Sequence, residues 1–216
     1  TFNYEQFVEL PKATANQLAE ETHERVGAVI GSIVMAIVVI MFYFKGSFNF
    51  DKKAKFLKIL AQIWVFLNAV LVISAMLKNT EYVYYLGLTY KRLGVYAFLS
   101  LAIIGLIFTF VKIQKQKTNA YLFNQMFWYV YGTILVCSFI NWGGIITSHN
   151  LKREDFAANY HFNSVDFNDK QLLEYYQKTN NKEMYKILKD KIIARQNKSF
   201  LSKVLYDESI SFNESE

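Results

Sequence analysis

Apolar residues fill most of this chain between residues 26 and 146, and polar residues fill its two ends. A helix needs about 20 apolar residues to cross the hydrocarbon core of a bilayer. Four stretches approach or exceed this length with no charged side chain inside them, so each predicts a transmembrane helix. They are residues 26–44, 59–77, 93–111 and 121–146.

Polar residues interrupt the fourth stretch, unlike the first and third. Asn124 and Gln125 lie near its start, and Asn141 lies near its end. Together with Gln62 and Asn68 of the second stretch, they are expected to form hydrogen bonds between helices, and substrate binding is the less favoured alternative. Aromatic residues that favour the membrane interface lie near the predicted helix ends, namely Tyr43, Tyr90, Trp128, Tyr129 and Trp142.

The hydrophobic pattern divides the chain into three regions: a polar N-terminal segment (residues 1–25), a transmembrane region (26–146) and a polar tail (147–216). Residues 13–25 predict a polar helix that runs directly into the first span. The fold class is therefore all-α, a polytopic membrane bundle of four transmembrane helices.

The tail begins with residues 147–168, which have no regular period and predict a loop. Residues 169–179 and 182–197 each place apolar side chains on one helical face, and Asn180–Asn181 is the expected turn between them. A small C-terminal helical hairpin follows from this pattern, completed by a short helix near residues 200–206.

Charge and composition further restrict the kind of membrane protein that this sequence can form. The only proline, Pro11, lies outside every apolar stretch, and the single cysteine, Cys137, excludes an intrachain disulfide. The net charge is +6, and lysines concentrate in residues 181–198. A basic amphipathic segment beside a membrane predicts contact with anionic headgroups or a partner, and nucleic acid is not expected. The residues assigned to this contact are Lys91, Arg92, Lys182, Lys186, Lys189, Lys191 and Arg195.

Lysine and arginine are almost equally numerous on the two sides of the predicted membrane region, so orientation is nearly undetermined. The cluster of lysines between residues 45 and 58 slightly favours a cytoplasmic position for that loop.

Small residues follow one side of the first span. Gly27 and Gly31 form a G-x-x-x-G pattern, and Ala28, Ser32 and Ala36 continue a neighbouring face. Such residues let helix backbones approach closely in lipid. Packing within the chain is the favoured interpretation, and contact with a partner subunit is the alternative.

No residue pattern specifies catalysis or metal binding. His23 lies beside Glu20 and Glu24, and His149 and His161 lie in the predicted loop, but neither set has ligand spacing. The known nucleotide-binding, hydrolase and metalloprotease motifs are absent from the sequence. We therefore expect no enzyme, no cofactor and no metal.

Residues 85–96 read YLGLTYKRLGVY. The order Gly87-Leu88-Thr89, then Arg92, then an aromatic residue resembles an uncharacterised family of bacterial multi-pass membrane proteins, known only as a domain of unknown function. A polar helix containing His23 before the first span, and Asn150-Leu151 after the last, are similar too. The resemblance covers about residues 20–180 and implies a location and a fold. It also implies that this chain is a C-terminal half, because family members have more spans upstream.

The expected function is that of a non-catalytic subunit or scaffold of a bacterial inner-membrane complex, with the lipid bilayer and other membrane subunits as partners. No charged residue or histidine lies in the central part of any predicted span, which weakens a transport role for these residues alone. The alternative is part of a transporter or channel whose charged residues lie in upstream spans. A third hypothesis is a membrane enzyme that uses His149, Asp155 and His161.

Overall fold

The computed structural model describes residues 12–44, 47–199 and 202–212, and side chains from residue 27 onward except those of 45–48, 52, 200–201 and 213–216. Within these residues every regular element is a helix. In chain order they are α1 (Lys12–Tyr43), α2 (Ser47–Phe50), a 3-10 turn (Lys52–Ala54), α3 (Lys55–Leu86), α4 (Tyr90–Gln114), α5 (Asn119–Phe139), α6 (Trp142–Asn150), α7 (Ala158–Ser164), α8 (Asp169–Lys178), α9 (Lys182–Gln196) and α10 (Leu205–Glu208).

The chain folds as two compact units. The first unit contains α1 to α3, α4 from Lys91 onward, and the whole of α5, which ends at Phe139. The second contains α6 to α10 together with Gly87–Tyr90, the turn that leads into α4. The second unit is therefore assembled from two separate stretches of the chain.

The core of the first unit consists of α1, α3 and α4, which contribute side chains at intervals of three and four residues. This alternation is the 3.5-residue period of helices that pack side by side with knobs in holes. The buried positions with this spacing are Ile33, Ala36 and Ile40 on α1, Ala61, Val65, Asn68, Val72, Ala75, Asn79 and Val83 on α3, and Leu99, Ala102, Leu106, Thr109 and Ile113 on α4.

Two helices are long and apolar enough to cross a membrane, α3 and α4, and they contain the predicted spans 59–77 and 93–111. The pair α5 and α6, broken at residues 140–141, passes the same test when the two are counted together. The apolar part of α1 with described side chains, Gly27–Tyr43, is shorter. The described residues thus hold two or three helices of membrane-spanning length and composition, which indicates membrane association.

The fourth predicted span is not one continuous helix. The sequence predicted one span within residues 121–146 with polar interruptions, whereas α5 ends at Phe139 and α6 begins at Trp142. Asn141 explains the break, because its Oδ1 accepts a hydrogen bond from the Gly144 N–H (2.9 Å) and thereby caps α6. Its Nδ2 donates to the Phe167 carbonyl (2.8 Å), which holds the cap in place.

Helical structure also occurs where a loop was predicted over residues 147–168. The helix α6 continues to Asn150, and α7 lies within the same stretch. The prediction was wrong here because α7 buries His161 and partly buries Phe162, and a histidine does not register in a hydrophobic pattern.

The predicted C-terminal hairpin is confirmed. Leu172 and Leu173 of α8 pack against Leu188 and Ile192 of α9, and Tyr176 completes the buried contact. At the turn, Asn180 adopts a left-handed backbone (φ 54°) and Asn181 caps α9. The last predicted helix corresponds in part to α10, which begins later, at Leu205.

Candidate functional site

A buried polar centre lies in the second unit around Asn150, the last residue of α6. The Leu88 N–H donates to Asn150 Oδ1 (2.7 Å), and Asn150 Nδ2 donates to the Leu88 carbonyl (2.8 Å). Gly87 makes this approach possible, since it has φ 80° and a Cβ there would lie 2.9 Å from Asn150 Oδ1. One amide side chain therefore satisfies both polar groups of a buried backbone residue.

His161 extends this centre, and its tautomer follows from its neighbours. The Leu88 N–H fixes which end of the Asn150 amide is oxygen, so Nδ2 is the atom 3.2 Å from His161 Nε2. Nε2 must accept this hydrogen bond, and Nδ1 therefore carries the proton and donates to Thr147 Oγ1 (2.9 Å). Asn168 Nδ2 donates to the same hydroxyl oxygen and to the His161 carbonyl.

This centre requires neutral His161, because an imidazolium would point an N–H at the Asn150 amide N–H₂. Burial lowers the pKa of His161 below its ordinary value of 6.5. The unfolded chain thus binds a proton at higher pH than the folded chain does. The contribution of His161 to the free energy of unfolding is therefore full above about pH 6.5 and is lost as the pH falls below it.

We expect the free energy of unfolding to fall by up to about 1.4 kcal/mol per pH unit between about pH 6.5 and the lowered pKa of His161. Denaturant titrations at several pH values measure this slope. His161→Gln should flatten it, because the variant has no imidazole at this position. An unaltered slope in a folded His161→Gln variant would contradict the assignment.

An ion cluster joins α8, α9 and the C-terminal segment. Arg195 Nη2 donates to Asp169 Oδ2 (2.7 Å) and forms an ion pair with Asp207 Oδ1 (3.0 Å), and both carboxylates are only 9% exposed. Gln196 Nε2 donates to the carbonyls of Asp207 (2.7 Å) and Ile210 (2.9 Å). These contacts hold residues 205–210 against α9.

The residues predicted to contact headgroups or a partner are placed in different surroundings. Arg195 lies in the ion cluster, and Arg92 stacks on the Tyr82 ring at 4.1 Å and donates to the Leu86 carbonyl. Lys189 and Lys191 lie over aromatic rings at 5.3 and 4.7 Å. The remaining three have exposed side chains with no ion pair to the described residues, namely Lys91, Lys182 and Lys186.

The predicted small-residue face is mostly open. Gly27, Ala28, Gly31 and Ser32 are exposed, and no described atom lies within 4 Å of a Cβ placed at either glycine. Ala36 is the exception, since it is 3% exposed within the core of the first unit. The described part of the chain therefore does not supply a helix that packs on the G-x-x-x-G pattern.

Lys112 is a buried lysine that directly follows the predicted span 93–111. Its side chain is fully buried, and its Nζ donates to Asn119 Oδ1. Asn119 Nδ2 donates to the Met41 carbonyl (3.2 Å), and Asn49 donates to the backbone of the turn after α4. No carboxylate of the described residues pairs with Lys112.

The structure does not assemble the residues of the enzyme hypothesis. His161 is buried, Asp155 is exposed and pairs with Arg153 at 2.9 Å, and His149 is exposed. The guanidinium lowers the pKa of Asp155. No group of three or more potential ligands for a metal ion occurs among the described residues, and the side chains of Glu20, His23 and Glu24 lie outside them.

The surface of α5 is unusually exposed for a helix in a bundle. Only Leu122 is buried, and contacts to α4 run along one edge, where Phe108 meets the rings of Tyr121 and Tyr129. A row of large apolar side chains faces away from the bundle, including Phe123, Phe127, Trp128, Tyr131, Ile134 and Phe139.

Together these features define an all-helical domain with apolar helices of membrane-spanning length and a polar centre built on Asn150. The chain belongs to the family described as a domain of unknown function, DUF4153, whose profile matches residues 2–173. The resemblance to a family known only as a domain of unknown function is thus confirmed.

No curated protein and no solved structure matches the chain. The family match includes Leu88, Thr147, Asn150, His161 and Asn168, so the whole polar centre lies within it. It ends in α8, and the basic helix α9 lies beyond it. The motif residues 87–88 and 150, which carried the resemblance, meet in this centre.

Proposed function

We propose that this protein is a four-span membrane protein of the bacterial inner membrane and acts as a non-catalytic subunit that binds the helices of a partner. The first span in this proposal is α1, whose polar first half continues without a break into the apolar stretch at 26–44. The second and third spans are α3 and α4, and the broken pair α5 and α6 is the last.

The observation that carries the subunit role is the position of two aromatic residues on α5. The sequence placed Trp128 near the end of a span, where its N–H would reach the interface, but it lies near the middle of α5. Trp128 and Tyr131 are 60% and 53% exposed, and neither polar tip has a hydrogen-bond partner in the described residues. Trp128 lies about 14 Å along α5 from the start of that helix. At this depth the hydrocarbon of a bilayer offers no hydrogen-bond acceptor, whereas a neighbouring protein helix does.

The open small-residue face on α1 gives further support. Helices in lipid associate by close packing, because lipid tails are as apolar as the side chains they would replace. Gly27 and Gly31 offer a place for such packing that the described residues leave unused.

A transport role is the second candidate, and Lys112 is the observation that favours it. An ionisable residue buried at a span without a carboxylate partner is often part of an ion or proton pathway. In that case the protein would function without a stoichiometric partner. The carboxylates that pair with Lys112 would come from elsewhere in the protein.

The test is purification of the full-length protein from its native membrane in mild detergent, with mass spectrometry of the proteins retained. We expect a partner membrane protein in fixed ratio. A solitary folded protein would overturn the subunit proposal and leave transport, which flux assays in proteoliposomes would then examine.

A matched pair of variants locates the contact. Replacing Phe127, Trp128 and Tyr131 with leucine keeps α5 apolar but removes the aromatic surface, and should reduce partner recovery at least about tenfold. The control also replaces three exposed aromatic residues with leucine, but on α3, namely Phe56, Trp64 and Phe66. Equal loss in both variants would contradict the placement of the partner on α5.

A further inference from the structure

An open cleft of about 420 Å³ lies in the second unit beside the C-terminal half of α6. Its walls include Ile145, Ser148, His149 and Lys152 from α6 and the turn after it, and Gln171 from α8. Its volume is within the range of small-molecule sites. All of these residues lie within the part of the chain that matches the family.

His149 presents a hydrogen-bond acceptor to this cleft. Its Nδ1 lies 3.3 Å from Asn150 Oδ1, and that oxygen already accepts from the Leu88 N–H. Because a carbonyl oxygen only accepts, Nδ1 of the neutral ring must carry the proton. The lone pair of Nε2 then remains available to a ligand that donates.

Gln171 presents a second acceptor. Its Oε1 is buried and has no hydrogen-bond partner in the described residues, which is costly for a polar atom. Gly144 allows α8 to bring this amide to the cleft, because a Cβ there would lie 3.1 Å from Gln171 Nε2. This oxygen has almost no accessible surface, so the amide must rotate towards the cleft before a ligand hydroxyl can satisfy it.

Lys152 supplies positive charge at the same cleft. It is exposed and forms no ion pair with the described residues, whereas the charge of neighbouring Arg153 is neutralised by Asp155. Ser148 lies four residues earlier and adds a hydroxyl. An ammonium with a nearby hydroxyl suits a phosphate group, which accepts from both.

We propose that this cleft binds a polyol phosphate, with the phosphate at Lys152 and Ser148 and the polyol hydroxyls at His149 Nε2 and Gln171 Oε1. Glycerol phosphate has this chemistry, either free or as the headgroup of phosphatidylglycerol. The exposed side chain of Ile145 provides an apolar wall that suits the lipid form.

The test uses the full chain in an uncharged detergent. Calorimetric titration with glycerol 3-phosphate is compared with glycerol, which lacks the phosphate, and with inorganic phosphate, which lacks the polyol. In parallel, the chain is reconstituted in nanodiscs of phosphatidylcholine with or without phosphatidylglycerol, and native mass spectrometry identifies the lipid that stays bound after detergent extraction.

We expect Lys152→Ala and Gln171→Leu each to weaken binding at least about tenfold. Lys178→Ala is the matched control, since it removes an exposed lysine from α8 of the same unit and should leave binding unchanged. Circular dichroism checks that each variant is folded.

Binding of glycerol 3-phosphate without lipid retention would support a soluble ligand, and lipid retention without it would support the headgroup. Binding in neither arm would overturn the proposal. Equal effects of Lys152→Ala and Lys178→Ala would also overturn it, because binding would then depend on net charge alone.

Discussion

Asn150→Ala is expected to lower the free energy of unfolding of the second unit by about 2–4 kcal/mol. The change removes both hydrogen bonds to the backbone of Leu88 and the one to His161 Nε2. It leaves a buried N–H and a buried carbonyl without partners, and such groups cost more than an average hydrogen bond contributes. Urea titration followed by Trp142 fluorescence measures the loss, in a background where Trp64 and Trp128 are phenylalanine.

Asn163→Ala is the control for this experiment. Asn163 also donates to a carbonyl, that of Asn159 (2.9 Å), but it is exposed, so water replaces the bond. We expect a change within about 0.5 kcal/mol. If the two alanine variants lose similar stability, Asn150 is not the centre of the buried network.

Arg195→Met is expected to cost about 3 kcal/mol or more. The methionine fills similar space, but the carboxylates of Asp169 and Asp207 would remain almost buried without the cation that both contact. Removal of one partner from a buried ion cluster leaves uncompensated charge, which is more harmful than removal of the whole cluster. The same urea titration measures this loss.

Two further variants test that explanation. Arg153→Met breaks the pair with Asp155, whose side chain is 69% exposed, and should cost less than about 1 kcal/mol. Adding Asp169→Asn and Asp207→Asn to Arg195→Met should recover part of the lost stability, because the remaining charges are removed. No recovery would mean that Arg195 acts through packing of its stem.

The helices with strong hydrophobic patterns could be predicted from the sequence. The spans at 59–77 and 93–111 lie within α3 and α4, and Leu172, Leu188 and Ile192 form the core of the hairpin as their spacing indicated. Long apolar runs and repeats of three and four residues determine these elements locally, so one sequence is sufficient to find them.

The polar centre could not be predicted in the same way. Leu88 and Asn150 are separated by 62 residues, and no local pattern indicates that an asparagine at the end of one helix will bond to a turn before another. In the sequence, Gly87-Leu88 and Asn150-Leu151 stand out only through their resemblance to a family pattern. His161 counted as a polar loop residue, although its ring is buried, bonds to Thr147 and Asn150 of α6 and stacks on Phe156.

The separation of Leu88 from Asn150 affects how the protein is made. A ribosome adds about 5–20 residues per second, so Asn150 is synthesised roughly 3–12 seconds after Leu88. During that interval the N–H and carbonyl of Leu88 must be hydrated, since their final partner does not yet exist. We therefore expect the insertion machinery to hold this turn in an aqueous or headgroup environment until the second unit closes over it.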